Sequence, residues 1–167
     1  MADGIRRFGL RGPRGVRLVG LIDAADAGVL AHSWYAKCGP HDRTHYVYRV
    51  ITKRRDRPRR IVLLHRELLG LEAEDRREGD HINGNGLDNR RANLRIVTHA
   101  QNGQNRRRNR NNRSGRRGVS WDHRAGRWRA DINIGARRVF LGYFVAVNEA
   151  AARVVQARSD LMPYATN

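Results

Sequence analysis

Apolar residues in this chain come in short runs, each sized for a strand or one or two helical turns. Val16 to Ile22 reads as a strand, and Asp23 can cap a short helix running to about His32. Tyr46-Val47-Tyr48-Arg49-Val50-Ile51 and Ile61-Val62-Leu63-Leu64 read as two more strands. The basic stretch between them, Lys53 to Arg60, is broken by Pro58, which predicts a hairpin. His65 to Leu71 predicts a short helix ended by Gly70. A strand carrying Asp80 and His81 then runs into a Gly84-Asn85-Gly86 turn. Asn93 follows, then the strand Leu94-Arg95-Ile96-Val97, and Thr98 can cap a helix with Asn102 on its second turn.

The last third has a different rhythm. Arg117 to Trp121 starts a strand, and Arg127 to Ile134 alternates strictly, with Trp128, Ala130, Ile132 and Ile134 on one face. Arg127, Arg129, Asp131 and Asn133 take the other face. A Gly135-Ala136 turn leads to a third strand, Arg137 to Gly142. Asn148 to Leu161 then predicts a helix, with Asn148 as N-cap and Ala151, Val154, Val155 and Leu161 as its apolar stripe. The expected class is α+β in two modules: a disordered 1–14, a first module over 15–105, a basic linker over 106–116, and a three-stranded antiparallel sheet packed on one helix over 117–162.

Charge changes the picture. The chain has 167 residues and a formal net charge of +18, and of its 34 basic residues only Lys37 and Lys53 are lysine. Codon usage can favour arginine over lysine, but it does not make acids scarce, so the charge itself points to a polyanion bound in a salt-sensitive way. The twelve residues Arg106 to Arg117 hold seven arginines and almost nothing apolar, which predicts an extended linker neutralised by that polyanion. Cys38 is the only cysteine, which excludes a disulfide framework and a cysteine-rich zinc site. The polar, arginine-rich start predicts no signal peptide, no run is long enough to span a bilayer, and the expected setting is the cytoplasm, beside the nucleoid.

Asp80 to Asn102 concentrates the chemistry. Cutting a nucleic acid backbone needs a base for water, a cation against the growing charge on phosphorus, and ligands that leave that cation open positions. Asp80 is a hard oxygen donor suited to magnesium or manganese. His81, next to it on a strand, points to the opposite face unless a twist or bulge intervenes. A calcium loop is excluded, because its third position would be Ile82. His99 shares a helix face with Asn102 and could replace it as a ligand; His32, His41, His45 and His123 show no pairing.

In Asp80-His81-Ile82-Asn83-Gly84-Asn85, Asn93-Leu94-Arg95, Asn102 and the upstream His65-Arg66, the chain resembles the HNH endonucleases, in particular the phage and intron-homing branch. The resemblance covers roughly residues 60–108. It implies a ββα-metal module in which Asp80 and Asn102 hold one divalent metal ion, magnesium or manganese. It also implies that His81 is the general base, that Asn93 braces the loop, and that His65-Arg66 positions backbone. An amide at 102, where many members of the family carry histidine, favours magnesium over a tight zinc site.

Residues 114–161 resemble the apetala-two (ethylene-response-factor) DNA-binding domain through Ser114-Gly115, Arg117-Gly118-Val119, Trp121, Trp128-Arg129-Ala130, Leu141-Gly142-Tyr143-Phe144 and Glu149-Ala150-Ala151. That resemblance implies a sheet laid in the major groove, with Arg117, Trp121, Arg127, Arg129, Asn133, Arg138 and Phe140 as contacts. Arg106, Arg107 and Arg110 of the linker join them as phosphate contacts. Trp128, Ala130, Ile132, Val139 and Leu141 are expected to be core. Together these readings predict a metal-dependent DNA endonuclease of the homing type, a monomer acting on double-stranded DNA without a small-molecule cofactor, in a bacterial or phage-infected cell. The rivals are a DNA-binding regulator with a vestigial nuclease module and a basic RNA-binding protein of ribosomal type.

Overall fold

The computed structural model describes residues 4–38, 44–51, 59–104 and 111–165. Its backbone contacts divide the chain into two units, residues 1–98 and 99–167.

The first unit is built on a five-stranded sheet of β1 (Ile5–Arg11), β2 (Arg17–Asp23), β3 (Tyr35–Cys38), β4 (His45–Ile51) and β5 (Arg60–Leu63). The spatial order is β2-β1-β3-β4-β5, antiparallel except where β1 meets β3. Strand β1 corrects the expectation of a disordered 1–14. Its seven residues pair with the whole of β2, turning Phe8 and Leu10 inward and Arg7 and Arg11 outward. Ala24–Ala31 is a 3-10 helix, and Asp23 does not cap it; the Asp23 carboxylate instead accepts the Arg91 backbone N–H at 2.7 Å. The β4–β5 hairpin forms in register, Tyr48 opposite Leu63 and Ile51 opposite Arg60. Its expected turn, with Pro58, lies outside the described residues.

Helix α1 (Leu64–Leu68) follows β5 directly and sends Leu64 and Leu68 into a core with Leu10, Ile22, Trp34, Ala36, Val47 and Leu94. A two-stranded sheet of β6 (Glu78–His81) and β7 (Leu94–Val97) completes the unit. The segment between these strands is stitched to the free edge of β2: Leu21 N–H donates to Leu87 O at 2.9 Å, and Asn89 N–H donates to Leu21 O at 2.8 Å.

The second unit opens with α2 (His99–Gln104), followed by β8 (Val119–Asp122), β9 (Arg127–Ile134), β10 (Arg137–Phe144) and α3 (Val147–Leu161). The three strands form an antiparallel sheet with β9 in the middle. Val119, Ala130 and Ile132 pack on Ala150, Val154, Ala157 and Met162, with Trp128, Val139 and Leu141 partly buried beside them. The core face expected from the alternation is therefore present. The α3 stripe differs: Val155 and Leu161 are exposed, because the 3.6-residue period turns Ala150, Val154, Ala157 and Arg158 to the sheet instead. Ala146, without a side-chain bond, holds the N-cap position expected of Asn148.

Helix α2 is tied to this unit by Arg117 and Arg158, which donate to the Gly103 and Gln104 carbonyls, and by the Tyr164 N–H on Gln104 Oε1. The end of the expected linker is ordered as well: Ser114 Oγ donates to Val119 O at 2.7 Å, and Asn112 Nδ2 to Arg116 O at 2.8 Å. No helix among the described residues is long and apolar enough to cross a membrane.

Gly118 enters β8 at φ +74°, and a Cβ built there would stand 2.6 Å from the Asp131 carbonyl oxygen. Gly118→Ala should cost about 2 kcal/mol of stability, read as a lower urea midpoint by tryptophan fluorescence. An unchanged midpoint would show that the close approach is dispensable.

Candidate functional site

Pairing of β6 with β7 is regular from Glu78 opposite Val97 to His81 opposite Leu94. No bulge interrupts it, so the bulge that would swing Asp80 and His81 together is absent and the two side chains leave opposite faces. Asp80, 8% exposed, faces Arg95, its partner across the ladder. Arg95 donates to Asp80 Oδ2 through Nε at 2.8 Å and Nη2 at 2.7 Å. That arrangement fixes the carboxylate in one orientation.

His81 goes the other way, into a buried group of rings. It is 4% exposed, its ring lies 4.9 Å edge-on from His65, and Tyr46 stands 5.9 Å from it and 6.0 Å from His65. Gly79 makes room for this group, since a Cβ there would meet His65 Cδ2 at 2.5 Å. Burial depresses the His81 pKa, against the opposing pull of Asn89, Asp80 and Asp88, so the imidazole is neutral at pH 7.

Which nitrogen of His81 carries the proton follows from its neighbour. Asn89, fully buried, donates its Nδ2 to the Gly86 carbonyl at 3.4 Å, which leaves Oδ1 toward His81 Nε2 at 3.2 Å. An amide oxygen only accepts, so Nε2 holds the hydrogen and Nδ1 the lone pair. Sequence reasoning missed Asn89: its side chain acquires this task only when the turn folds back over His81.

The rest of the turn is a network of amides. Asn93 Oδ1 accepts from the Asn83 N–H at 3.0 Å, while Asn93 Nδ2 donates to Asn83 Oδ1 at 3.0 Å and to Asp88 O at 2.8 Å. Asn83 Nδ2 donates to Asp88 Oδ2, and Arg90 binds both oxygens of that carboxylate. The Arg90 guanidinium holds the Asp88 carboxyl below the usual range. Gly86 sits against β4, where a Cβ would meet His45 O at 2.4 Å. Upstream, Arg66 donates to the carbonyls of Arg77, Glu72 and Asp75, so it organises backbone around the approach to β6.

Asn102 and His99 both lie on α2, in the second unit. Among the described residues no three His, Cys, Asp or Glu side chains converge as a metal cage. The oxygen donors proposed from the sequence, a carboxylate and an amide, suit a hard divalent ion rather than zinc.

On the second unit, the sheet face turned away from α3 carries Arg127, Arg129, Asp131 and Asn133 of β9 with Arg138, Phe140 and Tyr143 of β10. Asp131 is buried beneath two arginines: Arg138 binds both its oxygens, and Arg129 Nε stands 3.6 Å away. The Arg129 guanidinium also lies 5.2 Å over the Phe140 ring, which packs edge-on against Tyr143. Trp121 is a correction. It is 43% exposed, but it pairs with Trp128 and so sits on the α3 side of the sheet, its ring 5.1 Å from Trp128. Tyr143, which sequence reasoning omitted, occupies the open face instead and donates to Asp122 Oδ2 at 3.0 Å. Arg117 is the α2 contact described above, and Arg106, Arg107 and Arg110 lie outside the described residues.

Residues 78–104, from the start of β6 to the end of α2, match a family model described as HNH endonuclease. This supports an HNH nuclease. Neither the curated proteins nor the solved structures give a match to the chain.

Buried His65 makes the fold itself sensitive to acid. Burial, with the charges of His81 and Arg66, lowers its pKa from 6.5 to about 3. Below pH 6.5 the unfolded chain takes up a proton that the folded chain refuses, so this contribution to stability is complete above pH 6.5. It falls by about 1.4 kcal/mol per pH unit toward pH 3. Urea midpoints at about pH 7.5 and about pH 5 should drop less in His65→Gln than in the unmodified chain; equal drops would clear His65.

Proposed function

We propose that the chain is a metal-dependent HNH DNA endonuclease of the homing type, with a C-terminal sheet of apetala-two type that binds DNA. The observation that carries this reading is His81, buried and neutral within the HNH-matching segment, with Asn89 holding its Nε2–H and so presenting Nδ1 as a base. In the proposed reaction His81 Nδ1 takes the proton of the attacking water. Asn89 keeps the ring in the required tautomer, and Asn93 holds the turn that carries both. Asp80 and Asn102 are the proposed holders of a magnesium or manganese ion, and Arg95 orients the Asp80 carboxylate. When bound, that ion supplies charge stabilisation at the phosphorus and the departing 3′ oxygen.

Arg117, Arg127, Arg129, Asn133, Arg138 and Phe140 are the proposed DNA contacts of the second module, and Arg106, Arg107 and Arg110 add phosphate contacts. Double-stranded DNA is the proposed substrate, and a monomer near the nucleoid is the proposed setting. A second reading, a DNA-binding regulator with a vestigial nuclease module, is favoured by two observations: Asp80 and His81 leave opposite faces of the β6–β7 ladder, and Arg95 already occupies Asp80 Oδ2.

Supercoiled plasmid distinguishes the two. Relaxed or linear product only with magnesium or manganese supports the nuclease; retardation without cutting at any metal concentration supports the regulator. His81→Ala should lower cleavage by about 10²–10⁴-fold with DNA affinity unchanged, and a lost affinity would count against a catalytic role. Asn89→Ala should lower the rate by less, without altering affinity. Arg129→Ala should weaken binding while metal-dependent cutting persists on excess substrate, and unaltered affinity would remove the sheet from the DNA interface.

A further inference from the structure

Away from Tyr46, which packs against His65 and His81, the five-stranded sheet has a second face that the nuclease reading leaves unused. Residues directly opposite one another in neighbouring strands project to the same side. The pairings Arg17 with Arg11, Arg11 with Tyr35, Tyr35 with Tyr48, and Tyr48 with Leu63 therefore lay one row of side chains across all five strands. Leu10, Ala36 and Val47, one position along, point the other way into the core. Arg11 and Arg17 are exposed, and Tyr35 is 39% exposed. Tyr35 and Tyr48 stand with ring centroids 5.9 Å apart, and the Lys37 ammonium lies 5.4 Å from the Tyr48 ring centroid.

Beside the two tyrosines the surface falls into a cleft of about 570 Å³, lined also by His32, Ser33 and Arg59. Among the residues of β1 to β5 the one acid is Asp23, which is occupied by Arg91. Among the described residues, Arg11, Arg17 and Lys37 make no ion pair with a carboxylate.

We infer that this face binds single-stranded nucleic acid, with unpaired bases stacked on Tyr35 and Tyr48 and the backbone phosphates on Arg11, Arg17 and Lys37. Arg49, which also lines the cleft, is paired with Glu67 at 2.9 Å, but the charges of Arg11, Arg17 and Lys37 have no carboxylate partner among the described residues and call for a polyanion. The exposed Tyr35 ring and the half-buried Tyr48 ring, beside a cleft of nucleotide size, call for exposed base faces, which a duplex hides inside its own stack and a single strand presents. Stacking of this kind is tolerant of sequence, so the face contributes affinity for strand state rather than for a particular site. The inference concerns binding alone and does not depend on the nuclease reading.

The test uses the full-length chain in EDTA, with fluorescence anisotropy of a labelled oligothymidylate of about 20 nucleotides, its oligouridylate counterpart, and a duplex of the same length. Tyr35→Ala should weaken binding of one or both single strands by about tenfold and leave duplex affinity within about twofold. Tyr35→Phe should keep single-strand affinity, because the ring stacks without its hydroxyl. The thymidine and uridine arms decide whether the strand is DNA or RNA. Photo-cross-linking of a 5-iodopyrimidine-substituted strand to the unmodified chain should map to peptides containing Tyr35 or Tyr48. Unaltered single-strand affinity in Tyr35→Ala, an equal loss on duplex, or cross-links confined to residues 111–165 would each overturn the inference.

Discussion

Between His81 and Leu94 the chain must leave one strand and return beside it in register, and the side chain that closes this excursion is Asn93. Its amide makes three hydrogen bonds inside the turn, two to Asn83 and one to the Asp88 carbonyl, while its own carbonyl accepts the Ile82 N–H. Asn93 and Asp88 are buried, so the Asn93 amide and the Asp88 carbonyl would each cost about 1–3 kcal/mol if left unpaired. No apolar side chain could do this work, because what must be satisfied is a loop of backbone donors and acceptors. Asn89 and His81 are placed as a consequence. The same turn fills the edge of β2, which explains why a segment of so little apolar content can be held rigidly.

Charge is managed by a similar economy. Each buried acid among the described residues is matched to arginine: Asp80 to Arg95, Asp88 to Arg90, and Asp131 to Arg129 and Arg138. Three carboxylates therefore order four guanidinium groups, and a large excess of the +18 formal charge is left on the surface. Surface arginines far from acids contribute little to stability, and they create the long-range positive field that a polyanion meets first. The pairs inside the fold have another effect: they hold Arg129 and Arg138 in fixed positions, so a ligand need not order them on binding.

The five-stranded and three-stranded sheets each face a core on one side and present cations and aromatic rings on the other. In the second unit the outer row is Arg129, Phe140 and Tyr143 over a buried Asp131; in the first it is Arg11, Tyr35 and Tyr48. The chemistry of the two outer faces differs in one respect. Arg129 lies over Phe140 as Lys37 lies over Tyr48, but Tyr35 and Tyr48 also border an open cleft.

Much was legible in the order of residues. The strict alternation in Arg127–Ile134 dictated which side of β9 would be buried, because a strand offers only two faces and only one set was apolar. The placing of His81 beside an amide-rich turn was legible for the same local reason: Asn and Gly adopt the backbone angles that such turns require. What the sequence could not carry was partnership between distant segments. Strand β1 reads as an arginine-rich tail until β2 pairs with it. Trp121 reads as outward until its register places it against Trp128, and Asp23 reads as a helix cap until Arg91, far along the chain, takes its carboxylate. Asn89 looks like one more turn residue until the turn closes over an imidazole. In each case the residue's local preference was real, but a hydrogen bond or pairing formed only in the folded chain outweighed it, and such contacts leave no periodic trace in sequence.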